Sequence, residues 1–336
     1  MDKKNDDINR RDFIKKGLKM AGSLAIYGAG LNLASCDNPR ELLDSFSNRL
    51  SGFSAGGYDG ADLSQCYKYN SISDSWTTKS GLNTAKRMSQ GFSLGADLGF
   101  SAGGYAGTVF LNGLEKYSDS AGTWSIRTPL NTGRSGSAGF SLSSDTAIVA
   151  GGKTATGVSN NNEKYFNSSN SWSVVTSLLV ARWYAGSFSL GNGSGIAVGG
   201  FNSLVAAINT TEKYNNSSSS WTYKANISSA RSLLTGFSLG SDAGLVAGGF
   251  DPATAIYYGT VEKYSDTTNS WSVKTSLNPA RYSTGSFSID DTSGLVAGGD
   301  NGALTSSCEK YDDTTNSWTV QASLQIALGG QAGFSL

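Results

Sequence analysis

From residue 51 onward, small or polar residues alternate with apolar ones in short runs, as in Ala185-Gly186-Ser187-Phe188-Ser189-Leu190. That is the period of two expected of a strand with one buried face. Turn-forming segments such as Gly191-Asn192-Gly193-Ser194-Gly195 separate the runs. The runs recur on a grid. Gly-Gly pairs begin at Gly56, Gly103, Gly151, Gly199, Gly248 and Gly298, and tyrosines follow at Tyr69, Tyr117, Tyr165, Tyr214, Tyr264 and Tyr311. Each tyrosine is followed seven residues later by a tryptophan (Trp76, Trp124, Trp172, Trp221, Trp271, Trp318), and each tryptophan sixteen residues later by a phenylalanine (Phe92, Phe140, Phe188, Phe237, Phe287, Phe334). Four short strands fit each repeat of 47–50 residues: A around the Phe, B ending in Gly-Gly, C at Glu-Lys-Tyr and D starting at Trp. That is the arithmetic of a propeller blade. The first copy begins at strand B, with Ser51-Gly52-Phe53, and the last stops after strand A, with Phe334-Ser335-Leu336. The final strand is therefore expected to complete the first blade, giving six blades and no open edge.

An apolar strand, Gly-Gly, then Tyr and Trp at set distances resembles the kelch repeat, over residues 51–336. The resemblance implies an all-β, six-bladed kelch-type β-propeller with strand A innermost and blade 1 closed by the C-terminal strand. It also implies that the face carrying the B–C and D–A loops takes the ligand. The six grid tryptophans then read as core.

A second pattern lies inside the grid. Six residues before each Phe stand Lys86, Arg134, Arg182, Arg231, Arg281 and, last, Leu328; two residues before each strand-C Tyr stand Tyr67, Glu115, Glu163, Glu212, Glu262 and Glu309. Under the closure rule the partners are Lys86–Glu115, Arg134–Glu163, Arg182–Glu212, Arg231–Glu262 and Arg281–Glu309. Blade 1 has Leu328 and Tyr67 instead, so it lacks both charges. Joint loss is what a buried ion pair predicts, because one partner left alone is penalised heavily.

The N-terminal 36 residues read as an address. Asn9-Arg10-Arg11-Asp12-Phe13 precedes a weakly apolar stretch that ends in Leu33-Ala34-Ser35-Cys36. Arg10, Arg11 and Phe13 resemble a twin-arginine export signal, and the ending resembles a bacterial lipobox. The resemblance implies cleavage before Cys36, lipid on its sulfur and anchoring in a bacterial cell envelope, on the periplasmic or outer face. Residues 37–50 read as a tether.

Composition narrows the chemistry. There is no histidine, which excludes Ser-His-Asp and Cys-His machinery and histidine-ligated metals; neither a metal nor a cofactor is expected. Lys+Arg and Asp+Glu are 26 each, so no basic face for nucleic acid is expected. Cys66 and Cys308, at equivalent positions of neighbouring blades, read as buried free thiols. Only the Gly-Gly to Tyr spacing varies, from 13 to 16 residues, which places length variation in the B–C loops and a site on that face. Tyr58, Tyr105, Phe201 and Phe250 follow Gly-Gly directly; Trp183, Tyr184 and Tyr282 start strand A; Tyr257 and Tyr258 lie in the longest B–C loop. These aromatics suit sugar rings or peptide side chains. The expected function is a non-catalytic envelope lipoprotein binding a glycan or a protein segment. The alternatives are a periplasmic carbohydrate-modifying enzyme, resembling the six-bladed kelch isomerases of sialic acid, or a structural scaffold.

Overall fold

The computed structural model describes residues 50–191 and 193–336; the export signal, Cys36 and the tether up to residue 49 lie outside them. Blade 4 shows how the repeat folds. Strands A (Gly186–Leu190), B (Ser194–Val198), C (Thr211–Asn215) and D (Ser220–Lys224) pair antiparallel in that order. The register runs Phe188↔Ile196, Ile196↔Lys213 and Lys213↔Thr222. Strand B is buried throughout, while strand D buries Trp221 and exposes Thr222 and Tyr223. Five further four-stranded sheets repeat the order. Their A strands are Gln90–Leu94, Ala138–Ser141, Thr235–Leu239 and Gly285–Ser288 in blades 2, 3, 5 and 6.

Blade 1 is assembled from both ends of the described chain. Its strand A, Ala332–Ser335, pairs with Ser51–Ala55, with Phe53 opposite Phe334. Ser51 Oγ also donates to the Leu336 carbonyl at 2.9 Å. The wheel has six blades, all β, closed as the spacing predicts.

The grid residues hold the blades together. The Phe of one blade lies against a strand-B glycine of the next: a Cβ on Gly52, Gly99, Gly195, Gly244 or Gly294 would overlap the ring of Phe287, Phe334, Phe140, Phe188 or Phe237. Blade 3 has Ala147 at this position. The Trp of the next blade meets the same Phe edge-on, as Trp221 does Phe140 at 6.0 Å and 70°. Its own Tyr packs beside it, Tyr214 to Trp221 at 5.3 Å. Such pairs add about 0.5–1.5 kcal/mol beyond the area they bury. Each indole N–H donates to a carbonyl just past strand D of the previous blade, from Trp76 to Ala322 round to Trp318 on Thr275, at 2.7–3.1 Å. That bond needs the tryptophan near the rim. Trp76, Trp124 and Trp221 are buried, but Trp172, Trp271 and Trp318 are half-buried, which corrects the reading of all six as core.

At the axis the A strands touch their neighbours in a closed ring. The serine after each Phe links them. Ser238 donates to the Ser189 carbonyl, Ser288 to Ser238 and Ser335 to Ser288, at 2.8–2.9 Å; Ser93 donates to Ser335, and Ser141 to Ser93. They enclose a cavity of about 210 Å³.

Candidate functional site

The B–C/D–A face is built on the charge pairs. Lys86 Nζ lies 3.1 Å from Glu115, and the guanidinium nitrogens of Arg134, Arg182, Arg231 and Arg281 lie 2.5–3.0 Å from Glu163, Glu212, Glu262 and Glu309. All ten side chains are buried. Arg182 also donates to the carbonyls of Gly199 and Thr210, at 3.0 and 2.8 Å. Glu212 accepts the N–H groups of Leu179 and Val180, at 2.7 and 3.0 Å. One pair thus binds strand C, the Gly-Gly corner and the D–A loop together. Burial lowers the pKa of Lys86, Arg134, Arg182 and Arg231, and the facing glutamate opposes the shift. In blade 1, Leu328 and Tyr67 are buried in one apolar cluster, so no charge is stranded.

The Gly-Gly corner locks each blade to the next. The first glycine has φ of 62–67° and the second 95–116°, a region other residues avoid. A Cβ on the first would collide with the carbonyl six residues before the next blade's Phe, from Lys86 for Gly56 to Leu328 for Gly298. The second glycine donates its N–H to that carbonyl at 2.8–3.1 Å.

Two further rings lie on this face. Four residues before each Phe stand Met88, Gly136, Tyr184, Leu233, Ser283 and Gly330, all with φ between 54° and 68°. Their backbones form a closed circle: the N–H of each donates to the carbonyl of its counterpart in the preceding blade, at 2.6–2.9 Å. A non-glycine residue in this conformation is strained and persists only where its surroundings fix it. Here the circle fixes four. Just outside it, the residue five before each Phe pairs with the residue after Gly-Gly: Gly329 with Tyr58, Arg87 with Tyr105, Ser135 with Lys153, Trp183 with Phe201, Ser232 with Phe250 and Tyr282 with Asp300. Every pair exchanges two N–H···O=C bonds of 2.8–3.1 Å. The two variable positions that the sequence marks separately are therefore one rigid six-membered crown.

The crown side chains gather into three clusters. Arg87 lies between the rings of Tyr58 and Tyr105, at 4.5 and 5.1 Å from their centroids, and pairs with Asp62 at 2.6 Å. Trp183 stacks on Tyr184 at 4.1 Å, with Lys153 Nζ 4.6 Å from the indole centroid. Tyr282 stacks on Phe250 and on Tyr257 at 5.2 and 5.5 Å, and Phe250 meets Tyr257 tilted at 5.4 Å. Tyr58 and Tyr257 are exposed, whereas Tyr105, Trp183, Tyr184, Phe250 and Tyr282 are half-buried. Phe201 is different: it is buried against Trp183 and Tyr184, so it supports the cluster and presents no face to a ligand. Tyr258 lies beside the guanidinium of Arg231, 5.7 Å from its ring centroid. Burial pushes the phenols of Tyr184 and Tyr282 up to about 12, so both are neutral donors at physiological pH.

Carboxylates on this face have structural partners. Asp59, Asp62, Asp251 and Asp300 accept the N–H groups of Ala61, Gly107, Ala253 and Gly302, at 2.7–3.2 Å. Among the described residues no cluster of His, Cys, Asp and Glu could hold a metal. Cys66 and Cys308 are free and buried.

A family model described as the Kelch motif matches residues 295–325, from strand B to just past strand D of blade 6. The solved structure of YjhT is similar over 80% of this chain and 97% of that chain, with a TM-score of 0.65 and 14% identity. It is one of 729 matching chains of known structure, and a likeness this distant fixes architecture alone. No curated protein matches the chain. The molecule is a six-bladed β-propeller with a kelch motif.

Proposed function

We propose that this protein binds a glycan on its B–C/D–A face, without chemistry on it, as an exported lipoprotein held to the bacterial envelope through Cys36. The observation that carries the reading is the crown: partly exposed aromatic rings mounted on a hydrogen-bonded backbone, each cluster next to a charged or hydroxyl group. Aromatic faces pack on the C–H face of a sugar ring while neighbouring polar groups orient its hydroxyls. A protein segment is favoured less. Stable protein interfaces need roughly 800 Å² per partner with a continuous apolar centre, and here the aromatics form separate small clusters among Ser135, Ser232 and Asp300. An enzyme is also favoured less, because the five propeller glutamates sit in buried ion pairs and the four aspartates above serve loop geometry.

A glycan array probed with the exported, fluorescently labelled protein tests this. Retention of at least one glycan class is expected, with at least a tenfold loss in Trp183→Ala. No retained glycan would overturn the reading. Intact mass of the membrane-extracted protein tests the anchor: acylated Cys36 at the new N-terminus is expected, and an unmodified Cys36 would refute it.

A further inference from the structure

Around the crown, the residue five before each Phe reads Arg87, Ser135, Trp183, Ser232, Tyr282, Gly329. Large and small alternate with a period of two blades. The large residue reaches across a blade junction to the preceding blade in every case: Arg87 to Tyr58, Trp183 to Lys153 and Tyr282 to Phe250. The three intervening junctions carry Ser135, Ser232 and Gly329, and among the described crown residues no aromatic ring pair or cation–ring contact crosses them, although core aromatics do, as Phe100 with Tyr165 and Phe188 with Tyr264. Strand pairing follows six-fold repetition, but side-chain size at this position follows three-fold repetition.

We infer that the face holds three related glycan subsites, one at each of the blade 1/2, 3/4 and 5/6 junctions, and that the protein is a trivalent binder of repeating saccharides. The inference rests on the glycan reading above. Each subsite combines aromatic rings with charge: Tyr58 and Tyr105 around the Arg87–Asp62 pair, Trp183 and Tyr184 with Lys153, and Phe250, Tyr257 and Tyr282 with Asp300. The charged groups differ, so the three subsites share the stacking component and differ in polar contacts. Individual subsites of this size bind weakly. Three on one rigid face raise affinity for a chain or surface that engages several at once, by roughly 10²–10⁴ where the geometry permits.

Counting ligands separates the two readings. The intact protein is titrated with cellobiose, chitobiose, xylobiose and mannobiose by native mass spectrometry, alongside the array experiment. Saturation at three disaccharides per chain is expected for at least one probe, falling to two in Tyr58→Ala, in Lys153→Ala and in Tyr257→Ala. Tyr58 and Tyr257 are exposed and Lys153 half-buried, so these variants leave the core intact, which far-UV circular dichroism checks. Saturation at one, or array binding with no disaccharide uptake, would overturn the three-site inference and leave one extended glycan site. No binding in either assay would overturn the glycan reading itself.

Discussion

Arg182 and Glu212 show how a single pair of side chains organises a corner of the wheel. The guanidinium is fully buried, so its charge is tolerated because Glu212 lies 2.5 Å away and the carbonyls of Gly199 and Thr210 and the Thr210 hydroxyl accept three further N–H groups. Removing one partner of such a pair costs about 3–5 kcal/mol, while replacing both by apolar groups is often neutral. Glu212→Gln is therefore expected to lower the unfolding free energy by about 3–5 kcal/mol in urea titrations. Arg182→Leu with Glu212→Tyr, which copies the Leu328–Tyr67 arrangement of blade 1, is expected to recover at least half of that loss. Equal losses in the single and double variants would show that the corner depends on its other hydrogen bonds and not on charge balance. These partners were legible in the chain, because six copies give six chances to see two positions change together.

Among the elements, the strand Ala332–Ser335 carries the most. Its Phe334 stacks on Phe53 at 5.2 Å and meets Trp124 edge-on at 6.1 Å, and its Ser335 donates to the Ser288 carbonyl of blade 6. One short strand therefore touches blades 1, 2 and 6. Phe334→Ala is expected to destabilise by about 3–5 kcal/mol, as other buried Phe truncations do. Deleting Ala332–Leu336 removes that contact, a full row of strand pairing and ring closure. Against a typical domain stability of about 5–15 kcal/mol, the truncated chain is expected to show no cooperative thermal transition by circular dichroism. A sharp transition near that of the full chain would mean that the wheel stands without its clasp.

For the whole molecule, titration is dominated by protons the fold retains. Burial pushes the Cys66 thiol from 9.0 to about 12 and Cys308 to about 11. It also lifts the phenols of Tyr117, Tyr184 and Tyr282 from 10.0 to about 12. The unfolded chain releases these protons at lower pH than the folded one, so the stability they contribute is complete below about pH 9 and is lost as pH rises toward 12. Lys86 and Lys164 run the other way, since burial lowers their pKa, but they are two groups against the five named; the buried Arg134, Arg182 and Arg231 are lowered too, from an ordinary value above this window. Urea unfolding is expected to give a steadily falling free energy above about pH 9, with a shallower fall in a Cys66→Ala, Cys308→Ala variant. A flat profile to about pH 11 would contradict the burial of these groups.

The sequence by itself determined the number of blades, the closure, the within-blade pairing of acid and base, and the face on which variable aromatics stand. All of these follow from periodicity, and a period is a property of the chain. It could not show the circle of Met88, Gly136, Tyr184, Leu233, Ser283 and Gly330, since only two of the six are glycine and the conformation of the rest is imposed by hydrogen bonds from neighbouring blades. Nor could it show which rim aromatics are buried or which of them meet. Phe201 and Tyr58 occupy the same place in the repeat, yet one is covered by Trp183 and Tyr184 while the other is exposed. Trp183, Tyr184 and Phe201 belong to one blade and meet only because strands A and B pair, while Arg87 with Tyr58 and Tyr282 with Phe250 join neighbouring blades; neither kind of contact is local in the chain.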